Sequence, residues 1–237
     1  MKKLGIIGAM AVEVETLKGK MVNLTVSQKA GMEFYEGTLC ELPVVVVVCG
    51  VGKVNAALCV QVLCDLYGVT HIVNTGVAGS LCADLDIGDL VVSREAVYHD
   101  FDCHILNDAY VVGQVPGRPV RAFPADKELM AFAFQAAEEV TPGHTTIGTV
   151  ASGDQFICDK GVKQTIVENT GAVCTEMEGA AIAHAAWRNG VPYVVIRAIS
   201  DKADDSASVA YPVFEAAAAK HCAAVTAALA EKLQEEK

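Results

Sequence analysis

Short runs of apolar, β-branched residues recur along the chain, and stretches with a helical repeat of apolar positions lie between several of them. Leu4–Gly8 reads as a buried strand ending in a glycine turn, followed by a helix over Ala11–Lys20 with acidic residues in its first turn. Met32–Leu39 and Pro43–Cys49 are expected to pair as a hairpin around Glu41-Leu42. Gly50-Val51-Gly52 predicts a tight turn into a helix over Lys53–Tyr67, rich in Ala, Val and Leu. His71–Asn74 is a buried strand with Thr75–Gly79 as the turn after it, and Gly88–Ser93 extends as a strand towards Tyr98. Phe101–Val120 has no clean period and carries Pro116, Gly117 and Pro119, so a long surface loop is expected, a common place for function. Asp126 is a good N-cap for a helix over Lys127–Val140, and Asp159–Asn169 reads as helical. Thr145–Ala151, Ala172–Cys174 and Pro192–Ile199 read as strands. Gly190 closes a helix over Glu176–Asn189, and Pro212–Gln234 forms a long C-terminal helix.

No Pro/Ser-rich linker, low-complexity tract or repeat divides the sequence, so one domain over residues 1–237 is expected. The alternation of strands and helices predicts an α/β fold: a three-layer α/β/α sandwich with a mixed, largely parallel central sheet. Ligands in such folds bind beyond the carboxyl ends of the strands. The segments to inspect are therefore Gly8–Glu13, Gly50–Lys53, Thr75–Gly79, Ser152–Ile157, Thr175–Glu178 and Ser200-Asp201.

Composition narrows the classes. With 237 residues, 52% hydrophobic and 20% charged, the chain can bury a core without staples. Its 29 acidic and 18 basic residues give a net charge of −11, which argues against a nucleic-acid surface and an anionic membrane surface. The nine cysteines include no Cys-x-x-Cys pair, which argues against structural zinc and thioredoxin-type sites. They fit a reducing cytoplasm, most of them as small buried hydrophobes. Lys2-Lys3 followed by Leu4–Ala9 only faintly copies a signal peptide, whose apolar core needs roughly 7–15 residues. No segment comes near the roughly 18 apolar residues of a membrane span. The six histidines show no ligand spacing, so no metal is assigned. Trp187 is read as a packing residue, and Tyr98-His99-Asp100 as structural hydrogen bonding.

Phosphate motifs are absent. Gly5-Ile6-Ile7-Gly8 lies largely inside its strand, Gly50-Val51-Gly52-Lys53-Val54-Asn55 lacks the third glycine of the dinucleotide fingerprint, and no Walker A spacing occurs. Three acids at strand ends stand out instead: Glu13, Glu178 and Asp201. Any one of them alone could be a solvated acid at a helix start, least convincingly Asp201. Arg197, inside an apolar strand, needs an anionic partner if buried. Three separated carboxylates converging on one crevice suit acid/base chemistry at a sugar. N-glycoside cleavage has an oxocarbenium-like transition state and needs one group to protonate the leaving base and another to activate water.

The motifs in their order are Gly5-Ile6-Ile7-Gly8-Ala9-Met10 with Glu13, Gly50-Val51-Gly52-Lys53, Asn74-Thr75-Gly76, Ser152-Gly153-Asp154-Gln155-Phe156-Ile157, Glu176-Met177-Glu178 and Arg197-Ala198-Ile199-Ser200-Asp201. Together they resemble the 5′-methylthioadenosine/S-adenosylhomocysteine nucleosidases of the purine nucleoside phosphorylase superfamily, from Gly5 to about Phe214. No single motif is decisive, but six in register are specific. The resemblance implies a small nucleoside substrate and no cofactor. Glu13 would activate water, and Asp201 would protonate the purine at N7. Glu178, in the Glu176-Met177-Glu178 motif of the substrate site, would hold ribose hydroxyls with Met177 against the sugar. Phe156 would stack on adenine and the Ile157 backbone would read its edge, while Ser200 and Arg197 would support acid and water. Outside this context, core filling would explain Phe156 and Met177.

Val51, Tyr211 and Pro116 suit an apolar 5′ group. A homodimer is implied, with part of loop 101–120 over the partner's 5′ pocket. The hydrolase assignment rests on Glu13, because the phosphorylase relatives bind phosphate there instead. Val77 stands where many relatives carry serine, which removes a hydrogen bond near the water. Cys103–Val112, with His104, Asn107 and Asp108, also departs from them and bears on the 5′ substituent. The substrates left open are methylthioadenosine, S-adenosylhomocysteine, 5′-deoxyadenosine and aminofutalosine. Phosphorolysis and a non-catalytic nucleoside-binding role are the competing readings.

Overall fold

The computed structural model of the chain describes residues 1–106, 110–118 and 120–236. The first half runs β1 (Leu4–Gly8), α1 (Ala11–Lys18), β2 (Val22–Lys29), β3 (Met32–Leu39), β4 (Leu42–Val48), α2 (Lys53–Tyr67), β5 (His71–Ser80) and β6 (Leu90–Tyr98). After a short 3-10 turn at His104–Leu106 come β7 (Phe123–Pro124), α3 (Lys127–Val140), β8 (Thr145–Ser152), α4 (Lys160–Thr170), β9 (Cys174–Glu176), α5 (Gly179–Asn189), β10 (Tyr193–Asp201) and α6 (Ala207–Glu235).

The expected mixed sheet with helices on both faces is present. β1 lies between β4 and β5, parallel to both, and β5 also pairs in parallel with β10. β1 and β4 are nearly all apolar because both their faces are covered, whereas β5 and β10 also bury polar residues such as Asn74, Thr75 and Arg197. The sheet order is β10-β6-β8-β9-β5-β1-β4-β3-β2. The additional β10–β5 pairing makes β5, β10, β6, β8 and β9 a closed ring, a closure that the local pattern does not reveal. α1, α3 and α6 pack together on one side, and α2 and α5 on the other.

Several boundaries differ from expectation, each for a physical reason. Thr75–Gly79 is not a turn: β5 continues through it to Ser80. Its glycines serve close approach instead. A Cβ on Gly76 would lie 2.2 Å from Glu13 Oε1, and one on Gly79 would lie 2.8 Å from Asp201 Oδ1. The hairpin turns on Cys40-Glu41, both at positive φ (48° and 63°), so β4 begins at Leu42. β2 was not anticipated, although Val22, Leu24 and Val26 alternate with polar residues; it is an edge strand, exposed throughout. α5 begins at Gly179, because Glu176 still belongs to β9.

α6 starts at Ala207 and carries Pro212 inside it. Its 29 residues are long and apolar enough to cross a membrane by length and composition, contrary to the expectation that no segment comes near. In the fold it packs on β5, β10, α1 and α3, and Ala219, Cys222, Val225 and Leu229 are buried there. Burial as small hydrophobes holds for Cys49, Cys59, Cys174 and Cys222, whereas Cys40 and Cys158 are exposed. Of the loop positions singled out, Asn107, Asp108 and Pro119 lie outside the described residues.

Candidate active site

Glu13 sits in the first turn of α1, directly beyond β1, and is buried. Its Oε2 accepts the Ala9 and Met10 N–H groups at 2.7 and 3.0 Å, and its Oε1 accepts the Val77 N–H at 3.1 Å. A carboxylate offers about four acceptor positions, so these bonds fix its orientation and leave room for one more proton donor. The contact from Val77 is made by its backbone, so it does not depend on the side chain found there. Burial pushes the Glu13 carboxyl above its ordinary value, and the Arg197 charge and the three N–H donors only partly oppose this.

Asp201 ends β10. Its Oδ1 accepts the Ala203 N–H at 2.8 Å and its Oδ2 the Ser200 hydroxyl at 2.9 Å. Ala203 adopts positive φ (51°) to reach this position. Burial raises the Asp201 carboxyl despite these two donors, which favours its protonated, acid form.

Glu176 and Glu178 are two residues apart but differently placed. Glu176 accepts the Gly179 N–H at 2.7 Å, the Glu178 N–H at 3.1 Å, the Ser152 hydroxyl and the Arg197 guanidinium. Most of its acceptor capacity is thus spent on the protein and on the start of α5, although the residue still reaches the pocket wall. Arg197, by contrast, is not at the pocket wall. It is fully buried on β10, bonded to Glu176 and to Asn74 Oδ1, with Nη2 4.0 Å from Glu178 Oε2. It supplies the anticipated counter-charge from behind, and the three glutamates in turn hold it firmly protonated against its burial.

Glu178 keeps its carboxylate at the pocket. Its Oε1 accepts the Gly52 N–H at 2.8 Å. The Gly50-Val51-Gly52 turn, unremarkable in sequence, thus has a use: Gly52 has φ of +97°, which aims its N–H at Glu178. Burial and then the Glu176 charge push the Glu178 carboxyl up to about 7, against the pull of Arg197 and Gly52 N–H.

That shift predicts a pH-dependent stability. The folded value lies above the ordinary 4.5, so the protonated group favours the native state; this contribution is full below about 4.5 and is lost as pH rises through about 7. Glu178→Gln, neutral throughout, is expected to match the wild type near pH 4.5 and to exceed it by on the order of 3 kcal/mol at pH 8. Thermal unfolding of both proteins across this range checks it. A difference that does not change with pH contradicts it.

These groups share one pocket at the strand ends. Glu13, Val51, Val77, Phe156, Ile157, Glu176, Met177, Glu178, Ser200, Asp201 and Tyr211 all line it, whereas Arg197 and Pro116 do not. Phe156 is 47% exposed, so it is not core filling; its ring meets Tyr211 edge-on at 5.5 Å. Met10 and Gln155 also line the pocket and were not assigned. Tyr211 reaches Met10 with its hydroxyl 3.3 Å from the sulfur, a pairing across 201 positions that no local signal announces.

A pocket with four carboxylates and an aromatic shelf at the strand ends defines a small-molecule enzyme site, and comparison with known proteins agrees. The family model of the phosphorylase superfamily matches residues 3–233. A 5′-methylthioadenosine/S-adenosylhomocysteine nucleosidase of Shewanella piezotolerans is 40% identical over 233 residues, 98% of this chain and 100% of the relative. The nucleosidase of that name from Neisseria meningitidis, solved with methylthio-immucillin-A, superposes with a TM-score of 0.94 at 33% identity, covering 98% of this chain and 100% of that one. A futalosine hydrolase of Helicobacter pylori superposes with a TM-score of 0.92 at 31% identity, covering 98% of each chain. The chain belongs to the phosphorylase superfamily. Within it, the chain falls among the 5′-methylthioadenosine/S-adenosylhomocysteine nucleosidases.

Proposed function

We propose that this enzyme hydrolyses the N-glycosidic bond of 5′-methylthioadenosine and S-adenosylhomocysteine, and also of 5′-deoxyadenosine, releasing adenine and the 5′-substituted ribose. The observation that carries the reading is the pair Glu13 and Asp201, both buried, both above their ordinary carboxyl values, and both lining one pocket. Phe156 supplies a face for the purine and Glu178 an acceptor for ribose hydroxyls. Asp201 gives its proton to N7, which lets adenine leave as a neutral base as the C–N bond breaks. Glu13 takes a proton from water as the oxygen bonds to the anomeric carbon. Arg197, behind Glu176 and Glu178, balances the negative charge of the site. Free lone-pair capacity on Glu13 favours water over phosphate as the nucleophile, because a carboxylate repels an anion.

The test is chromatographic detection of free adenine from methylthioadenosine, in phosphate-free buffer and with phosphate added. Equal rates in both are expected. Adenine released only with phosphate would move the protein to the phosphorylases. The likeness to a futalosine hydrolase of Helicobacter pylori supports a second reading, a substrate of the futalosine type such as aminofutalosine, for which the same assay serves. We place the enzyme in the cytoplasm as a homodimer in which part of loop 101–120 covers the partner's 5′ pocket.

A further inference from the structure

Tyr98-His99-Asp100 takes no part in the chemistry above, yet it anchors a compact charged cluster at the pocket rim. Lys53, the first residue of α2, places its ammonium 2.7 and 2.6 Å from the two Asp100 oxygens and 3.5 Å from Asp154 Oδ2. The backbone closes the cluster: Asp154 N–H donates to Asp100 Oδ2 at 2.9 Å, and Lys53 N–H to Asp154 Oδ1 at 3.0 Å. Lys53 and Asp100 side chains are only 23% and 16% exposed, so solvent screens them less than a surface pair. Burial pushes the Asp100 carboxyl up, but Lys53 and the Asp154 N–H outweigh it and hold the group below its ordinary value.

Three segments meet at this cluster. One is the Gly50–Gly52 turn, whose Gly52 N–H holds Glu178. The second follows β6. The third follows β8 and runs from Asp154 straight into Gln155, Phe156 and Ile157 at the pocket wall. The fit has little slack: a Cβ on Gly52 would lie 3.2 Å from Asp154 Oδ1, and one on Gly153 would lie 2.3 Å from the His99 ring.

We propose that Lys53, Asp100 and Asp154 form a positioning brace that fixes the ribose-holding Glu178 relative to the base-stacking Phe156. The inference rests on the roles given to those two residues above. A ligand that touches only the base side is indifferent to such a brace, whereas a nucleoside spanning both sides depends on it. Lys53→Met keeps the stem and removes the charge, Lys53→Arg keeps the charge, and Asp100→Asn removes it from the other side.

In the full chain, Lys53→Met and Asp100→Asn are expected to raise KM for methylthioadenosine about tenfold, to change kcat less than about threefold, and to leave the calorimetric Kd for adenine within about threefold. Lys53→Arg is expected to recover most of the loss. Equal weakening of nucleoside and adenine marks a general structural role and overturns the brace, as does no weakening of either. If the wild type releases no adenine, the functional reading fails. Methylthioadenosine then stays intact, and the ratio of its Kd to that of adenine in the same variants judges the brace by the same criterion.

Discussion

Glu13→Gln is expected to lower the rate of adenine release by about 10²–10⁴-fold while adenine still binds. The amide is nearly isosteric. Its oxygen can accept the Ala9 and Met10 N–H groups as Glu13 Oε2 does, at 2.7 and 3.0 Å. Its NH2 would then face the Val77 N–H, which donates to Oε1 in the wild type, so one hydrogen bond is lost. Against that loss stands the removal of a charge that burial disfavours. The two changes oppose each other in stability, so the variant is expected to fold. The amide has no basic lone pair to take a proton from water, so only the chemical step suffers. Single-turnover adenine release and calorimetric titration with adenine separate the two. Loss of adenine binding together with turnover would remove the specific role of Glu13.

Asp201→Asn is expected to be comparably damaging, about 10²–10⁴-fold for methylthioadenosine. The asparagine oxygen can still accept the Ala203 N–H that Asp201 Oδ1 accepts at 2.8 Å, so the turn at Ala203 should survive. An amide can donate a hydrogen bond to a purine nitrogen but cannot transfer the proton. The loss should therefore depend on the leaving group. Adenine leaves poorly as an anion, whereas 4-nitrophenolate leaves without help. The 4-nitrophenyl 5-methylthioriboside is expected to lose less than about tenfold in the same variant. Equal losses for both substrates would mean that Asp201 positions the substrate and does not protonate it.

The contrast between Glu176 and Glu178 shows where sequence reading stops. Both acids lie in one motif, where β9 passes into α5, and nothing local separates them. Only the fold brings Arg197, 21 positions away from Glu176, and Ser152, 24 positions away, to consume the first and spare the second. The same holds for Gly76 and Gly79. Glycine pairs signal turns locally, yet here the strand continues and the missing side chains make room for carboxylates from α1 and from the end of β10. β2 went unread despite the alternation of Val22, Leu24 and Val26 with polar residues, because its apolar face is exposed and no covering partner marks it.

The sequence by itself determined most strands and helices, because a run covered on both faces is mainly apolar and caps such as Asp126 act within a single turn, while β2 and β7 escaped it. It also pointed to where the candidate acids lie, since ligands in such folds bind beyond the carboxyl ends of the strands. Tertiary structure alone decided which acid is engaged by Arg197 and Ser152, which keeps acceptor capacity for a ligand, and that burial lifts Glu13, Glu178 and Asp201. Those properties depend on desolvation and on charges brought from distant parts of the chain, and neither is a property of a residue's neighbours in sequence.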